Sequence, residues 1–455
     1  MVISASWKSL TGGPNLRGVS TVLSLAAFLK QYSHWSKDII FVISDNYLDG
    51  MHAWLSAYHN PLDFNQDVEP LSISSGVIWT ALNIDYPGHS FSHLGIFREG
   101  LNGRLPNQDL INSFGVISQH TGGVPILLYD HYEPSEFPGR EGIRKFYPVI
   151  EYGYRARNIL RHFAFQARGQ ASGPHGLFHQ YRIDAITLFA VPSNGPHGFH
   201  ALGRCRLHAS FFFYIMATPS SFLKIGSYLP SAVLVAAALM FGGLGEWVNA
   251  GWVEVEDEGS PPDKGNAVDI TSLTSKKKWV RQRRDPLDAL VVVVASHLIG
   301  LTLFVIISKT WFDGFIIPFA CGTTLVLTSF TLGKSSGSAS TEPTAPLYLI
   351  LKVINMCLAS TLISVTSVLN FSLAALLAIT LGVPLSLASP SRSLPVRVTK
   401  YVIYATLAFG WLVLDEEVKQ AVWEWQVLGV WFTPLVCLIY VPFILQAGVV
   451  SCTTL

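Results

Sequence analysis

Residues 38–59 read DIIFVISDNYLDGMHAWLSAYH. An apolar stretch, Ile39–Ile43, ends in Ser44, Asp45, Asn46 and Asp49, and helical spacing follows. A carboxylate at the end of a strand can bind a metal, accept a proton from an amine, or cap the next helix. All three readings apply to Asp45, and Asn46 and Asp49 are equally good helix-start residues. A two-metal hydrolase needs more carboxylates or histidines from the neighbouring strand-to-helix connection. That connection reads SASWKSLTGGPNLRG and has no Asp, Glu or His. The pattern therefore argues against a complete metallohydrolase site.

The histidines are the remaining metal candidates. His175 and His179 are four apart in SGPHGLFHQY, but the Gly and Pro content argues against a helix, so loop or surface positions are expected. His197 and His200 in SNGPHGFHALGR follow a strand-like run, a better place for function, although a structural or surface role is the simpler expectation. Asp45, His197 and His200 are thus weak candidates for a single zinc, and no cofactor is firmly indicated. G-x-S-x-G, P-loop and H-E-x-x-H motifs are absent. The five cysteines contain no CxxC pair, so neither a disulfide framework nor a cysteine zinc site is indicated.

The elements that must position these residues alternate. Strands are predicted at Val2–Ser6, Ile39–Ile43, Val77–Ile84, Leu94–Phe97, Val124–Tyr129 and Ile183–Val191. Helices are predicted at Gly18–Gln31, Leu48–Tyr58, Asn107–Ile117 and Val149–Phe165. Such alternation predicts an α/β sheet covered by helices on both faces.

Half of the 455 residues are hydrophobic and 13% are charged, too apolar for one soluble globule. A net charge of +1 gives no bias toward nucleic acid. Residues 1–220 hold 13 of the 14 histidines and read as water-soluble. Seven long apolar runs follow, at about 227–246, 287–308, 315–332, 347–368, 371–388, 397–414 and 427–447. A bilayer core needs roughly 20 apolar residues in a helix; most runs meet this, and 315–332, 371–388 and 397–414 are at its short end. Basic residues gather in alternate loops: Lys264, Lys276, Lys277, Lys278, Arg281, Arg283 and Arg284 in 247–286, Lys334 in 333–346, and Arg392, Arg397 and Lys400 in 389–400. Those loops are expected in the cytosol, with residues 1–226 on the other side. Loop 247–286 also holds EDEGSPPDKGN, read as a flexible linker. Lys352 near the end of its run is expected to snorkel, and His297 to pack as a neutral side chain. A transporter would need more polar groups at mid-span.

Several stretches together resemble one family: NLRGVSTVLSLAAFLKQYSHWSKDIIFVISD, GMHAWLSAYH, EGLNGRLPNQDL, HQYRIDAITL, GPHGFHALGR and SFFFYIMATPSSFLKIGSYLP. They look like the Gaa-type subunit of the GPI transamidase complex. The resemblance implies a non-catalytic subunit in the endoplasmic reticulum membrane that helps attach GPI anchors to proteins. It implies a lumenal domain similar to M28 aminopeptidases over 1–220, incomplete at its start. A membrane helix at 227–246, a cytosolic basic loop at 247–286, six further membrane helices over 287–447 and a cytosolic tail at 448–455 complete that organisation. The implied partners are other subunits, among them a caspase-like cysteine protease, with the GPI lipid, a precursor protein carrying a carboxyl-terminal signal, and the membrane. Family members usually begin with one more membrane helix and the opening of the sheet, and have a longer helical segment where this chain reads CRLH; these are departures. The alternative reading is a membrane-tethered M28-type metallopeptidase or amide-forming enzyme. Within the subunit reading, Asp45 or a nearby histidine is the possible acceptor of the proton that the lipid's attacking amine must lose.

Overall fold

The computed structural model describes residues 1–32, 37–59, 68–72, 74, 76–131, 147–198, 214–219, 221–256, 277–309, 322 and 344–453. The chain divides into two compact units. The first comprises Met1–Pro230 with two later segments, Val368–Leu373 and Glu424–Phe432.

This first unit is built on a six-stranded sheet. Its strands are β1 (Val2–Ser6), β2 (Ile40–Ser44), β3 (Thr80–Asp85), β4 (Phe91–Phe97), β5 (Ile126–Leu128) and β6 (Asp184–Pro192), in the order β2-β1-β3-β6-β4-β5. The pairs β2/β1, β1/β3, β3/β6 and β4/β5 are parallel, while β4 runs antiparallel to β6. Its longer helices among the described residues are α1 (Leu16–Leu29), α2 (Asp49–His59), α3 (Gln108–Ile117) and α4 (Tyr147–Arg168). These six strands and four longer helices lie close to the positions predicted from periodicity. Helix α1 starts at Asn15, whose side chain accepts from the Gly18 amide, and buries Val19 and Val22 against Ile3, Ala5 and Ile84. The larger core joins α3 to β4, β5 and β6 through Leu110, Ile111, Phe114, Leu94, Ile96, Ile126, Leu128, Ile186 and Leu188.

One sheet row is polar. The register places Ser4 beside Asn83 and Asn83 beside Thr187. Ser4 Oγ donates to Asn83 Oδ1 at 3.1 Å, and Asn83 Nδ2 donates to Thr187 Oγ1 at 3.3 Å. All three are buried, so each polar group costs free energy unless it is paired.

The second unit comprises Ser231–Ser367, Ala374–Trp423 and Thr433–Leu455. Five helices among the described residues are long and apolar enough to cross a membrane: Ile225–Asn249, Leu287–Lys309, Leu347–Leu369, Leu394–Val413 and Phe432–Cys452. The expected run 371–388 is a shorter apolar segment, Phe371–Leu387, with a π-helical turn at Ala378–Gly382 just before Pro384. Pro lacks the amide that would close the preceding turn, which accounts for the break. The run 315–332 lies outside the described residues except for Gly322. The final helix begins at Phe432, later than the apolar run suggested, because an amphipathic helix, Asp415–Leu428, precedes it.

Basic loop 247–286 is not wholly irregular. Trp252–Glu256 pairs antiparallel with Lys277–Arg281; the stretch between them, with most of EDEGSPPDKGN, lies outside the described residues. The ammonium of Lys352, expected to snorkel, pairs with Glu246 at 3.4 Å. His297 Nδ1 lies 2.8 Å from the Val293 carbonyl oxygen, and its ring packs edge-on to Phe443.

Candidate functional site

The carboxyl ends of β1 and β2 open into a cleft of about 300 Å³ lined by Trp7, Lys8, Gly12, Gly13, Pro14, Asp45 and Asn46. This is where ligands gather in sheets with parallel strands. Asp45 is exposed, and one carboxylate oxygen accepts from the Asn46 amide at 2.9 Å. Asn46 takes the left-handed conformation at φ 52, and its side chain donates to Asp49 Oδ2 at 2.5 Å. Asn46 and Asp49 thus dress the start of α2, which leaves the second oxygen of Asp45 uninvolved in capping. Gly50 is required here, because a Cβ would stand 2.4 Å from the Asp45 carbonyl oxygen.

The opposite wall is the turn 8–14. The Ser9 amide donates to the Gly13 oxygen at 2.8 Å and the Gly12 amide to the Ser9 oxygen at 2.9 Å. Asn15 fixes its base: the side chain donates to the carbonyls of Ser6 and Ile84, at 3.0 and 3.1 Å, and accepts from the amides of Gly18 and Tyr86.

Beneath the turn lies Asp85, which the sequence reading did not single out. It ends β3, is 1% exposed, and accepts from the Leu10 amide at 2.8 Å. Burial raises its pKa to about 6, against the opposing pull of hydrogen bonds from Leu10 and Ser9. Its other oxygen has no hydrogen-bond partner. Burial, and then the charge of Asp85, raises the pKa of Tyr47 well above the usual phenol range. A carboxylate closing an apolar strand in ALNIDYP was the available signal, the same signal that marked Asp45.

The histidines are placed otherwise than expected. His175 and His179 are neither loop nor surface groups; both are buried. Residues His175–Phe178 form a short helix, followed by a 3₁₀ turn at His179–Tyr181. Close approach explains the glycines: a Cβ on Gly176 would lie 2.5 Å from Ala171 Cβ, and one on Gly100 would lie 2.1 Å from His179 Nδ1. Burial lowers the pKa of His175 to about 3 and that of His179 to about 4, so both are neutral at physiological pH. His175 Nδ1 lies 2.8 Å from Thr187 Oγ1, which extends the polar sheet row, and Nε2 lies 3.5 Å from Ser172 Oγ.

That row ends at Glu99. Its carboxylate accepts from Tyr129 at 2.5 Å, His162 Nδ1 at 3.0 Å and Ser172 at 2.8 Å, and pairs with buried Arg98 at 3.4 Å. Burial alone would raise its pKa; the Arg98 charge and then the His162 hydrogen bond hold it well below the usual range. One buried anion thus ties β4, β5, α4 and the 168–175 turn together.

His197 pairs its backbone with Phe91 at the start of β4. In the strand order, four spacings separate β2 from β4, about 19 Å at roughly 4.8 Å each. His197 and Asp45 therefore cannot share an ion, and His200 lies outside the described residues. Among the described residues, no group of three or more His, Cys, Asp or Glu side chains could hold a metal.

A second set of contacts involves the motif EGLNGRLPN. Asn102 is left-handed at φ 56. Its Nδ2 donates to the Gly429 oxygen at 2.9 Å and its Oδ1 accepts from the Trp431 amide at 2.9 Å. Gln170 donates to both oxygens of Glu424, and Gln180 to the Leu428 oxygen. Asn370 donates to the Gln166 oxygen at 2.7 Å and caps the Leu373 amide. The short segments that precede the helices starting at Phe371 and Phe432 are thereby integral parts of the α/β unit.

The family model described as "Gaa1-like, GPI transamidase component" matches residues 1–448. The chain belongs to the Gaa1 family. It is 29% identical over 265 residues to the GPI transamidase component gaa1 of Schizosaccharomyces pombe, covering 55% of this chain and 44% of that protein. It is 30% identical over 272 residues to GPI transamidase component GAA1 of Saccharomyces cerevisiae, covering 56% of this chain and 41% of that protein. The match thus spans less than half the length of these two Gaa1 relatives. The Gaa1 match runs through both the sheet unit and the membrane-length helices.

Proposed function

We propose that this chain acts as a membrane subunit of a GPI transamidase in the endoplasmic reticulum, with its α/β unit in the lumen and loop 247–286 in the cytosol. It presents the GPI lipid to a caspase-like cysteine subunit that holds the precursor as a thioester. The observation that carries this reading is the family match over residues 1–448. An M28-like origin for the sheet and a seven-span membrane region belong to the same proposal. The ion-ligand geometry weighs against the metallopeptidase alternative, since Asp45 follows β2 while His197 bridges to β4, four strand spacings away.

Holding the lipid's amine beside the thioester makes a bimolecular step effectively unimolecular, which contributes roughly 7–11 kcal/mol in well-oriented systems. The amine must also lose a proton before attack. Asp45, exposed in the cleft with one oxygen uninvolved in capping, is the proposed acceptor. Asp45→Asn keeps the size and the acceptor for the Asn46 amide while removing the charge. In cells lacking the endogenous subunit, it is expected to leave complex recovery intact and slow display of an anchored reporter. Normal display with normal recovery would remove Asp45 from the site; loss of both would make it a folding residue.

A further inference from the structure

The strand pair of the basic loop carries a surface that the proposed function does not use. Its register sets Trp252 opposite Arg281 and Glu254 opposite Trp279, and cross-strand partners of an antiparallel pair share a face. Exposure alternates along the second strand and just beyond it. Trp279, Arg281 and Arg283 are exposed, while Val280, Gln282 and Arg284 are half-buried. The half-buried row fastens the pair to the end of the membrane-length helix Ile225–Asn249. Gln282 donates through its backbone to the Gly251 oxygen at 2.9 Å and through its side chain to the Ala250 oxygen at 3.1 Å. Arg284 donates to the Val248 oxygen at 3.3 Å, and its guanidinium lies 4.7 Å from the centre of the Trp247 ring. The Arg283 oxygen accepts from the Ala345 amide at 2.8 Å, two residues before the helix Leu347–Leu369. The exposed row is thereby held beside the ends of three membrane-length helices, the one that finishes at Asn249 and those that start at Leu287 and Leu347.

That row has the composition of a membrane interface. Trp279 is 63% exposed and Trp252 49%, whereas Val253 and Val280 are half-buried. Tryptophan concentrates at head-group depth, where its ring meets apolar chains and its N–H meets polar groups. Among the described residues Arg281 and Arg283 make no ion pair. Glu254 shares the face and offsets one of the two charges, and Lys276, Lys277 and Lys278 adjoin the row in sequence. We propose that this face seats anionic phospholipid head groups of the leaflet it abuts, with phosphates on Arg281 and Arg283 and both indoles in the interfacial layer. A guanidinium meets phosphate oxygens through a bidentate fork, and basic residues beside a membrane helix are drawn to anionic leaflets. An acidic protein segment would satisfy the arginines and leave two indoles, fixed beside helix ends, in water.

The test is a titration of the full chain in neutral detergent micelles with phosphatidylserine brominated on its acyl chains, a short-range quencher of tryptophan emission. The difference in quenching between the native chain and Trp279→Phe reports lipid at this face. Half-quenching is expected at a lower lipid fraction for brominated phosphatidylserine than for brominated phosphatidylcholine. At low ionic strength Arg281→Gln should raise that fraction about fivefold, and Arg281→Gln with Arg283→Gln about thirtyfold. Added salt should erode the preference. Replacing both arginines by lysine keeps the charge and should keep most of the preference, and Arg392→Gln, in another basic loop, should leave it unchanged. Thermal unfolding should be the same in all these variants, because the substituted side chains are exposed. Equal half-quenching by the two lipids overturns the proposal and leaves the face to an acidic protein segment or to topology alone. A preference that survives the double glutamine substitution, or a loss that lysine does not restore, overturns it as well. Identical quenching of the native chain and Trp279→Phe removes the indole from the interface and overturns the placement.

Discussion

Asn102 offers the most specific physical test of how the α/β unit is assembled. Its side chain makes two hydrogen bonds, to the Gly429 oxygen and from the Trp431 amide, both at 2.9 Å. Each is worth about 1 kcal/mol net. Its backbone stands at φ 56, ψ 34, a conformation Asn tolerates and Ala pays roughly 1–2 kcal/mol to adopt. Asn102→Ala should therefore cost about 3 kcal/mol, or roughly a hundredfold in local opening. Asn102→Gly keeps the conformation and loses only the two bonds, about 2 kcal/mol or near thirtyfold. Hydrogen exchange on the full chain in detergent reads this directly at the Trp431 amide. The expected order of protection is Asn, then Gly, then Ala, with amides of β6 unaffected. Equal protection of Trp431 in all three proteins would refute the clasp, and equal loss in Gly and Ala would refute the conformational share.

Asp85 gives a pH signature. Its folded-state pKa of about 6 lies above the ordinary 3.8, so the folded chain keeps a proton that the unfolded chain releases. The stability this confers is complete below about pH 4 and is lost as pH rises through 6, by roughly 3 kcal/mol in all. Asp85→Asn should raise the unfolding temperature at pH 7 and flatten that slope; an unchanged slope would show that another group titrates. Glu99→Gln leaves Arg98 buried without its counter-charge and should cost about 3–5 kcal/mol, measured by denaturant unfolding; a loss below about 1 kcal/mol would contradict the anchor role. Asn370 begins an N-x-[ST] sequon, NFS, yet its amide is buried and bonded to Gln166. No endoglycosidase-sensitive mass shift is expected there, and a shift abolished by Asn370→Gln would show that the segment is not docked.

Period and turn chemistry made much of the fold legible. VISAS, DIIFVIS and DAITLFAV read as strands, and the apolar faces of α1 and α3 follow helical spacing. What escaped was set by register and long-range contact. Nothing local says that Ser4, Asn83 and Thr187 fall in one row, because that depends on how β1, β3 and β6 align. The Gly-rich passage around His175 reads locally as a loop, while Gly176 serves close packing against Glu99 and Ala171. The apolar run near 427 ran on through residues that the α/β unit claims, since Gly429 and Trp431 bond to Asn102 from more than 300 positions away. The strand-end position of Asp45 is legible locally; that the turn 8–14 lines the same cleft is not, because the pairing of β1 with β2 has first to be known.

The central claim is that this chain works as one member of a transamidase assembly. Affinity isolation of an epitope-tagged chain from solubilised membranes, with identification of what co-purifies, tests it most directly. The account predicts that a caspase-like cysteine protease subunit and other transamidase components are recovered with it in comparable amounts. Recovery of the chain alone, with bound zinc and aminopeptidase activity, would contradict it.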